Sequence, residues 1–180
     1  MAFTSIVYVG TLYLQLALRY SPVEGGLALL PLDAVAFVVP LAAAGPIARR
    51  SPRALLAGSF ALTALALLWL SRTPVPATYL RDLLVPLLVL GASLSVAFVV
   101  LTTAAVTDVE PDEKGLASGI FETANHLFGG AVGVALYATV LTAASATAGD
   151  ADGYRAAFLV ATILAALGLA VARVTPNATG

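Results

Sequence analysis

Six apolar stretches fill almost the whole of this 180-residue chain, and each is long enough to cross a lipid bilayer. The hydrocarbon core of a bilayer is about 30 Å thick, so a helix of roughly 20 apolar residues spans it. Lipid offers no hydrogen-bond partner to backbone N–H and C=O groups, so runs of this length must be helical. The predicted spans lie near residues 2–18, 25–48, 54–71, 83–107, 115–145 and 154–174. We therefore predict an all-α integral membrane protein in which residues 1–180 form one bundle of six transmembrane helices.

The composition argues against several classes of function. Hydrophobic residues make up 60% of the chain and charged residues only 11%, which is more apolar surface than a soluble domain of this length can bury. The net charge of −1 gives no electrostatic footprint for nucleic acid. The chain has no Cys and a single His, His126, so neither a thiolate site nor a His-based metal centre is expected. No cofactor is predicted.

An enzyme is not expected either, because no phosphate-binding Gly loop, nucleophile elbow or zinc-binding pair of His residues occurs. One cluster of acidic residues in a loop could carry catalysis at a membrane face. Like-charged residues in a loop are more often solvated than catalytic. The cluster consists of Asp108, Glu110, Asp112 and Glu113.

The N-terminus carries no basic region before the first apolar stretch, so this stretch is not expected to be a secretory signal peptide. The stretch begins abruptly at residue 2 and supplies about 17 residues before Arg19. We expect either a helix that lacks its first turn or a chain cut from something longer.

Two of the short connections carry the residues that begin helices. Residues 21–24, Ser-Pro-Val-Glu, form a capping box in which each polar side chain satisfies a free backbone N–H of the first turn. Ser51 followed by Pro52 repeats the signal. Because so few residues join the second and third spans, these two helices are expected to be antiparallel neighbours.

The basic residues predict the orientation in the membrane. Arg49, Arg50 and Arg53 lie in or beside one short loop, and such clusters remain in the cytoplasm. With an even number of spans, both termini are then cytoplasmic. Frequent Ala, Leu, Val and Arg with a single Lys suggest a GC-rich bacterial genome, and hence a multi-pass protein of the cell membrane.

Three ionisable residues fall within predicted spans, namely Asp33, Glu122 and His126. A charge at the centre of a membrane helix costs at least roughly 2.5–3.5 kcal/mol, so such residues usually face a cavity. They would handle protons or a cationic substrate. Alternatively, Glu122 caps or snorkels near the cytoplasmic end, and Asp33 bonds to water at the outer interface. Gln15 and other uncharged polar residues line a cavity or join helices by hydrogen bonds.

Glu122 and His126 lie four residues apart, on one face of their helix. A stripe of small residues extends this face in both directions, at spacings of three and four. Two Gly-x-x-x-Gly pairs in the stripe allow another helix to approach closely. The stripe consists of Gly115, Gly119, Gly129 and Gly133.

The order of these features resembles the C-terminal half of a major facilitator superfamily transporter, of the branch of fourteen-helix drug:proton antiporters. Each half of such a transporter is a six-helix bundle, and the halves rock around a central site. The stretches that carry the resemblance are residues 13–15 with 20–31, 45–53, 86–91, and 115–119 with 126–135.

In the second stretch, Gly45, Arg49, Arg50 and Arg53 resemble a degenerate copy of the family's cytoplasmic loop motif. The acidic member is absent, because Ile47 and Ala48 precede Arg49 where the motif has Asp. A conformational latch through that acid is therefore not expected. The family's proton-coupling acids lie mostly in the N-terminal half, so none of them is carried over to this chain.

The resemblance implies the C-terminal bundle of a proton-coupled efflux antiporter for small apolar or cationic compounds. Its partners would be the lipid bilayer, protons, the substrate, and either an N-terminal half of six or eight helices or a second copy of the chain. The alternative is a truncated membrane protein that transports nothing and packs against another transporter. The Gly stripe fits this role equally well, because it requires only close helix contact.

Overall fold

The protein is described here by a computed structural model that covers residues 2–42, 45, 50–74 and 77–174, with the side chains of these ranges except those of residues 2–6, 148 and 151. Over this part of the chain the backbone is helical apart from short connections, and it contains no strand. The prediction of an all-α membrane protein is confirmed. Each predicted span overlaps a helix, and residues 43–44 and 46–48 of the second predicted span lie outside the described residues.

The helices are numbered in chain order. The first three are α1, which is Ala2–Leu12 continued by the π-helical turn Tyr13–Ala17, then α2 (Pro22–Ala42) and α3 (Pro52–Leu70). Helix α4 comprises the π-helical turn Tyr79–Leu83 and Leu84–Thr107. Helix α5 comprises Pro111–Glu113, Lys114–Asn125, the π-helical segment His126–Val132 and Gly133–Ala148, and α6 is Asp150–Val174. Within the described ranges, α2 to α6 are long and apolar enough to cross a membrane, and α1 contributes a shorter apolar segment, Val7–Ala17.

Both predicted helix starts are confirmed. The Ser21 backbone N–H donates to Glu24 Oε2 at 2.8 Å, and the Glu24 N–H donates to Ser21 Oγ at 3.3 Å. At the start of α3, the Ala54 N–H donates to Ser51 Oγ at 3.2 Å. Caps of this kind stabilise a helix by about 1 kcal/mol each, because they satisfy N–H groups that have no partner within the helix.

The six helices form a ring in which α4 lies between α2 and α3. Around the ring, α2 packs on α4, α4 on α3, α3 on α6, α6 on the second half of α5, α5 on α1, and α1 on α2. Within the described residues α2 and α3 do not pack on each other along their length, so the expectation that these two helices are neighbours is wrong. A short connection fixes only the ends that it joins, whereas the buried faces decide which helices pack along their length.

Helix α4 can lie between α2 and α3 because it carries small and hydroxyl-bearing residues at its contacts with them. A Cβ atom added at Gly91 would collide with the backbone carbonyl oxygen of Leu32, so α2 and α4 touch backbone to backbone at this level. On the other side of α4, the hydroxyls of Thr63 and Ser93 share a buried hydrogen bond of 2.9 Å. Small residues at helix contacts and hydrogen bonds between helices are the usual sources of stability in membrane bundles.

The bundle is tightly packed at one end and open at the other. At the end where α1 joins α2, α3 joins α4 and α5 joins α6, here called the closed end, three tyrosine hydroxyls donate to backbone carbonyls of other segments. Towards the other end, here called the open end, α2 has no buried residue beyond Leu32, and α5 has none before Gly129. The three bonds are Tyr13 to Pro74 (3.3 Å), Tyr79 to Ala28 (2.7 Å) and Tyr154 to Leu12 (3.2 Å).

Candidate functional site

Asp33 on α2 and His126 on α5 lie at similar depths in the bundle, on two helices that both contact α4. Leu32 is level with Gly91 of α4, and the rings of Phe98 on α4 and Phe121 on α5 are 6.2 Å apart. At a rise of about 1.5 Å per residue, these two contacts place Asp33 and His126 within about two helical turns of the same depth.

Asp33 is exposed and directly follows Leu32, the last buried residue of α2 in the direction of the open end. Its carboxylate has no hydrogen-bond or ion-pair partner in the described part of the chain. The neighbouring side chains on this surface of the helix are apolar, and Leu30 and Phe37 are both exposed. A carboxylate on an apolar membrane helix needs water, a proton or a cation beside it. Asp33 therefore makes no polar contact that holds the described part of this bundle together.

Glu122 and His126 are brought together, as their spacing predicts. Glu122 Oε2 lies 3.6 Å from His126 Nε2. At this distance the two side chains form an ion pair when the imidazole is protonated. The side chains are 44% and 77% exposed, so both are accessible from outside the bundle. His126 also begins the π-helical segment of α5. Such segments are frequent at functional sites, because they change the direction in which the side chains project.

Gln15 belongs to a different part of the bundle. Its side chain lies beside Gly25, where a Cβ atom would stand 3.5 Å from Gln15 Cγ. Gly25 lies in the first turn of α2, eight residues and about 12 Å along the helix from Asp33. The residues that the sequence groups as one pathway thus separate into Asp33, Glu122 and His126 at the open end, and Gln15 near the closed end.

The residues of the predicted cytoplasmic loop motif are described in part. Gly45 and Arg50 are exposed, Arg53 is half-buried in the first turn of α3, and Arg49 lies outside the described residues. Neither Arg50 nor Arg53 forms an ion pair with any carboxylate in the described ranges.

The Gly stripe divides into two parts. Gly129 is buried and Gly133 is half-buried, in segments of α5 that contact α1. Gly115 and Gly119 lie in the open-end part of α5, and a Cβ atom added at either would meet nothing within 4 Å. The second Gly-x-x-x-Gly pair thus lies where α5 meets α1, whereas the first pair leaves a smooth surface uncovered.

A cleft at the closed end was not anticipated from the sequence. It encloses about 430 Å³ between the end of α3 and the start of α4, and Arg72 and Asp82 lie among its walls. The sequence does contain a signal for it, because Leu65, Leu68, Trp69 and Arg72 recur at the spacing of one helix face.

Comparison with known proteins adds a second line of evidence. No family model matches the chain. The chain is 37% identical over 139 residues to "Puromycin resistance protein pur8" of Streptomyces alboniger, a match that covers 76% of this chain and 27% of that protein. It is 32% identical over 171 residues to "Cephamycin export protein CmcT" of Amycolatopsis lactamdurans, covering 92% of this chain and 34% of that protein.

The chain spans about a third or less of the length of the curated relatives that it matches. Their names refer to drug resistance and to export, and the helices of this chain are long and apolar enough to cross a membrane several times. The chain is thus a multi-pass, all-α membrane protein, similar over most of its length to part of two proteins named for puromycin resistance and cephamycin export.

Proposed function

We propose that the chain is the C-terminal bundle of a proton-coupled efflux antiporter of the major facilitator type, for small apolar or cationic compounds. The observation that carries the proposal is the similarity of 92% of the chain to about a third of an export protein. The ring of six helices and the resemblance of residues 13–135 to the second half of such transporters support it.

In a transporter of this type, one six-helix bundle moves relative to a second bundle. Most of the length of each matched relative lies outside the similarity. The open-end parts of α2 and α5 present exposed apolar side chains, including Phe37, Leu41, Leu116 and Ile120. In the proposed transporter an N-terminal half of six or eight helices covers part of this surface, and water fills the rest when the halves rock apart. A second copy of the chain is the other partner that would complete the cavity.

The chemistry assigned to the site follows from its charges. Asp33 is a carboxylate without a partner, set among apolar side chains such as Leu30 and Phe37. Such a surface suits a lipophilic cation, which buries its apolar part and places its charge near the carboxylate. When Asp33 takes up a proton, it loses its attraction for the cation. Exchange of a proton for a cation at one carboxylate is the simplest form of antiport.

Glu122 and His126 together form the second proton-carrying site. The imidazole and the carboxylate are 3.6 Å apart, so a proton bound by one is shared electrostatically with the other. In the proposed cycle they receive a proton from water at the open end and hold it at a depth similar to that of Asp33. This assignment requires no contact between the two sites within a single bundle.

The test is export from vesicles that carry a pH gradient. Proteoliposomes would contain this chain alone, or this chain together with the part of the cephamycin export protein that lies outside the similarity. Transport of a fluorescent lipophilic cation against its gradient is expected only when the completing part is present, and it should stop when a protonophore removes the pH gradient. Export that continues without the gradient would contradict proton coupling.

A second candidate function is a membrane protein that transports nothing and packs against another transporter. The uncovered Gly115 and Gly119 favour it, because this surface of α5 accommodates a helix without any cavity. The same vesicles separate the two functions. Stable association with the completing part and no export under any gradient would support the packing role and would exclude transport by this pair.

A further inference from the structure

The cleft at the closed end has one wall that points away from the core of the bundle. Leu65, Leu68, Trp69 and Arg72 occupy positions i, i+3, i+4 and i+7 of the helix that ends in the α3–α4 connection. Leu65 is largely exposed and Trp69 is half exposed, whereas the opposite face of α3 is buried. Arg72 lies at the end of this stripe, where α3 stops. The wall is therefore an apolar groove with a cation at its end.

The second wall carries a carboxylate. The backbone N–H of Thr78 donates to Asp82 Oδ2 at 2.8 Å, which fixes the side chain of Asp82 at the π-helical start of α4. Asp82 is 20% exposed, whereas its neighbour Arg81 is 88% exposed and does not line the cleft. Arg81 Nε stands 4.0 Å from Asp82 Oδ1, which is too far for a hydrogen bond. Asp82 Oδ1 is in ion-pair range of Arg81 but accepts no hydrogen bond from the described residues, and Asp82 lines the cleft.

The two charges in the cleft do not neutralise each other. Arg72 forms no ion pair with Asp82 or with any other carboxylate of the described residues. A guanidinium binds a phosphate group through two parallel N–H donors, and a carboxylate accepts hydrogen bonds from an ammonium group. A ligand that carries both a phosphate and an ammonium group would satisfy both side chains at once.

The position of the cleft identifies the source of such a ligand. Trp is enriched where a membrane protein meets the headgroup region, and Trp69 lies between the apolar part of the stripe and Arg72. An acyl chain would run along Leu65 and Leu68 below it. We propose that the cleft binds a phospholipid with a primary amine in its headgroup, of the phosphatidylethanolamine type, with its phosphate on Arg72 and its ammonium on Asp82.

Two other headgroups fit less well. A choline headgroup has no N–H group to donate to Asp82. An anionic glycerol headgroup can donate to Asp82 only from neutral hydroxyls, and it brings no positive charge to offset the carboxylate. The inference concerns the α3–α4 end of the bundle alone and does not depend on the proposed transport function.

The chain itself supplies the probe for this site, because Trp69 is its only tryptophan. The full chain would be reconstituted in phosphatidylcholine vesicles that contain a minor fraction of lipid with brominated acyl chains, which quench tryptophan fluorescence on contact. Brominated phosphatidylethanolamine is expected to be enriched about tenfold around Trp69 relative to brominated phosphatidylcholine, as expected for hydrogen bonds to charged groups. Brominated phosphatidylglycerol should show no enrichment.

Matched variants locate the contact. Arg72→Gln and Asp82→Asn should each reduce the quenching by brominated phosphatidylethanolamine to the phosphatidylcholine level, whereas Arg81→Gln should leave it unchanged. All three substitutions are on polar side chains at the closed end, and circular dichroism with size exclusion would confirm that each variant folds. Water-soluble phosphoethanolamine should not reverse the enrichment, because the acyl chain contributes to binding. Reversal by this compound would assign the site to a free phosphate ester and overturn the lipid proposal.

Two further results would also overturn the proposal. Equal quenching by the three brominated lipids would mean that Trp69 contacts bulk lipid only. Stronger quenching by phosphatidylglycerol, increased further by Asp82→Asn, would mean that Arg72 binds anionic headgroups and that Asp82 opposes them.

Discussion

At the scale of single residues, Gly91 has the clearest structural requirement. Its α-carbon faces the Leu32 carbonyl of α2 so closely that no side chain fits between the two helices. Gly58 of α3 is a suitable comparison, because a Cβ atom added there would meet nothing within 4 Å. The two glycines lie in neighbouring helices but differ in what surrounds them.

We expect Gly91→Ala to destabilise the protein by about 1–3 kcal/mol, because backbone atoms of α2 must move to admit the methyl group. Gly58→Ala should instead be neutral or stabilise by roughly 0.5–1 kcal/mol, since Ala loses less backbone entropy in a helix. The measurement is the free energy of unfolding in mixed micelles with increasing SDS. Equal effects of the two substitutions would show that α2 and α4 are not in close contact.

At the scale of the helices, the hydrogen bond between Thr63 and Ser93 joins α3 to the most buried helix, α4. Neither residue could be paired with the other from the sequence alone, because both are common hydroxyl residues thirty positions apart. The spans and helix starts were predictable, since length, hydropathy and capping residues act locally. The packing of α4 between α2 and α3 was not, because it depends on which faces fit together over a whole helix.

A double-mutant cycle measures this bond. Thr63→Val and Ser93→Ala each remove one hydroxyl, and the coupling between them should be about 0.6 kcal/mol and no more than about 1.7 kcal/mol, as found for hydrogen bonds between membrane helices. Thr102→Val is the control, because its hydroxyl donates within α4 to the carbonyl of Phe98. It should show no coupling to Thr63→Val. A coupling of zero for the first pair would mean that water replaces the bond.

At the scale of the whole molecule, the open end carries both the candidate site and the exposed apolar side chains of α2 and α5. The sequence correctly indicated Glu122 and His126 as one unit, because positions i and i+4 share a helix face. Gln15 was assigned to the same pathway from the sequence only because its side chain is polar. Depth in the bundle, which separates Gln15 from Asp33, follows from the contacts between helices and not from local spacing.

Asp33→Asn is expected to lower the export of a lipophilic cation about tenfold in the completed transporter, which corresponds to the loss of roughly 1.4 kcal/mol of attraction for the charge. Asp108→Asn, in the exposed connection between α4 and α5, should have little effect. Initial export rates, corrected for protein content, give the comparison. An equal loss for both variants would argue for a general effect of charge rather than a site at Asp33.

Substitutions at Gly115 and Gly119 test whether the uncovered surface of α5 is an interface with the completing part. Replacing either with Ile should leave the stability of this bundle unchanged, because the added side chain meets open space. The same replacement should weaken association with the completing part, since a bulky residue prevents close helix contact. Gly26→Ile, in open space near the start of α2, serves as the control. Co-purification in detergent measures the association, and an unchanged yield for all three variants would exclude this surface as the interface.

The length of α5 has a mechanical consequence. Its 37-residue apolar helix, Pro111–Thr147, is about 55 Å long, whereas a bilayer with its headgroups measures about 40–45 Å. Unless α5 inclines steeply, about 10–15 Å of its length must stand beyond the membrane surface, at one end or shared between both. Where the first turns of α5 extend beyond the membrane, Leu116 and Ile120 would be apolar side chains that are accessible to soluble proteins as well as to other helices. A protease added to sealed vesicles is expected to cleave within residues 108–114, where the α4–α5 connection enters α5, before it cleaves the rest of this helix.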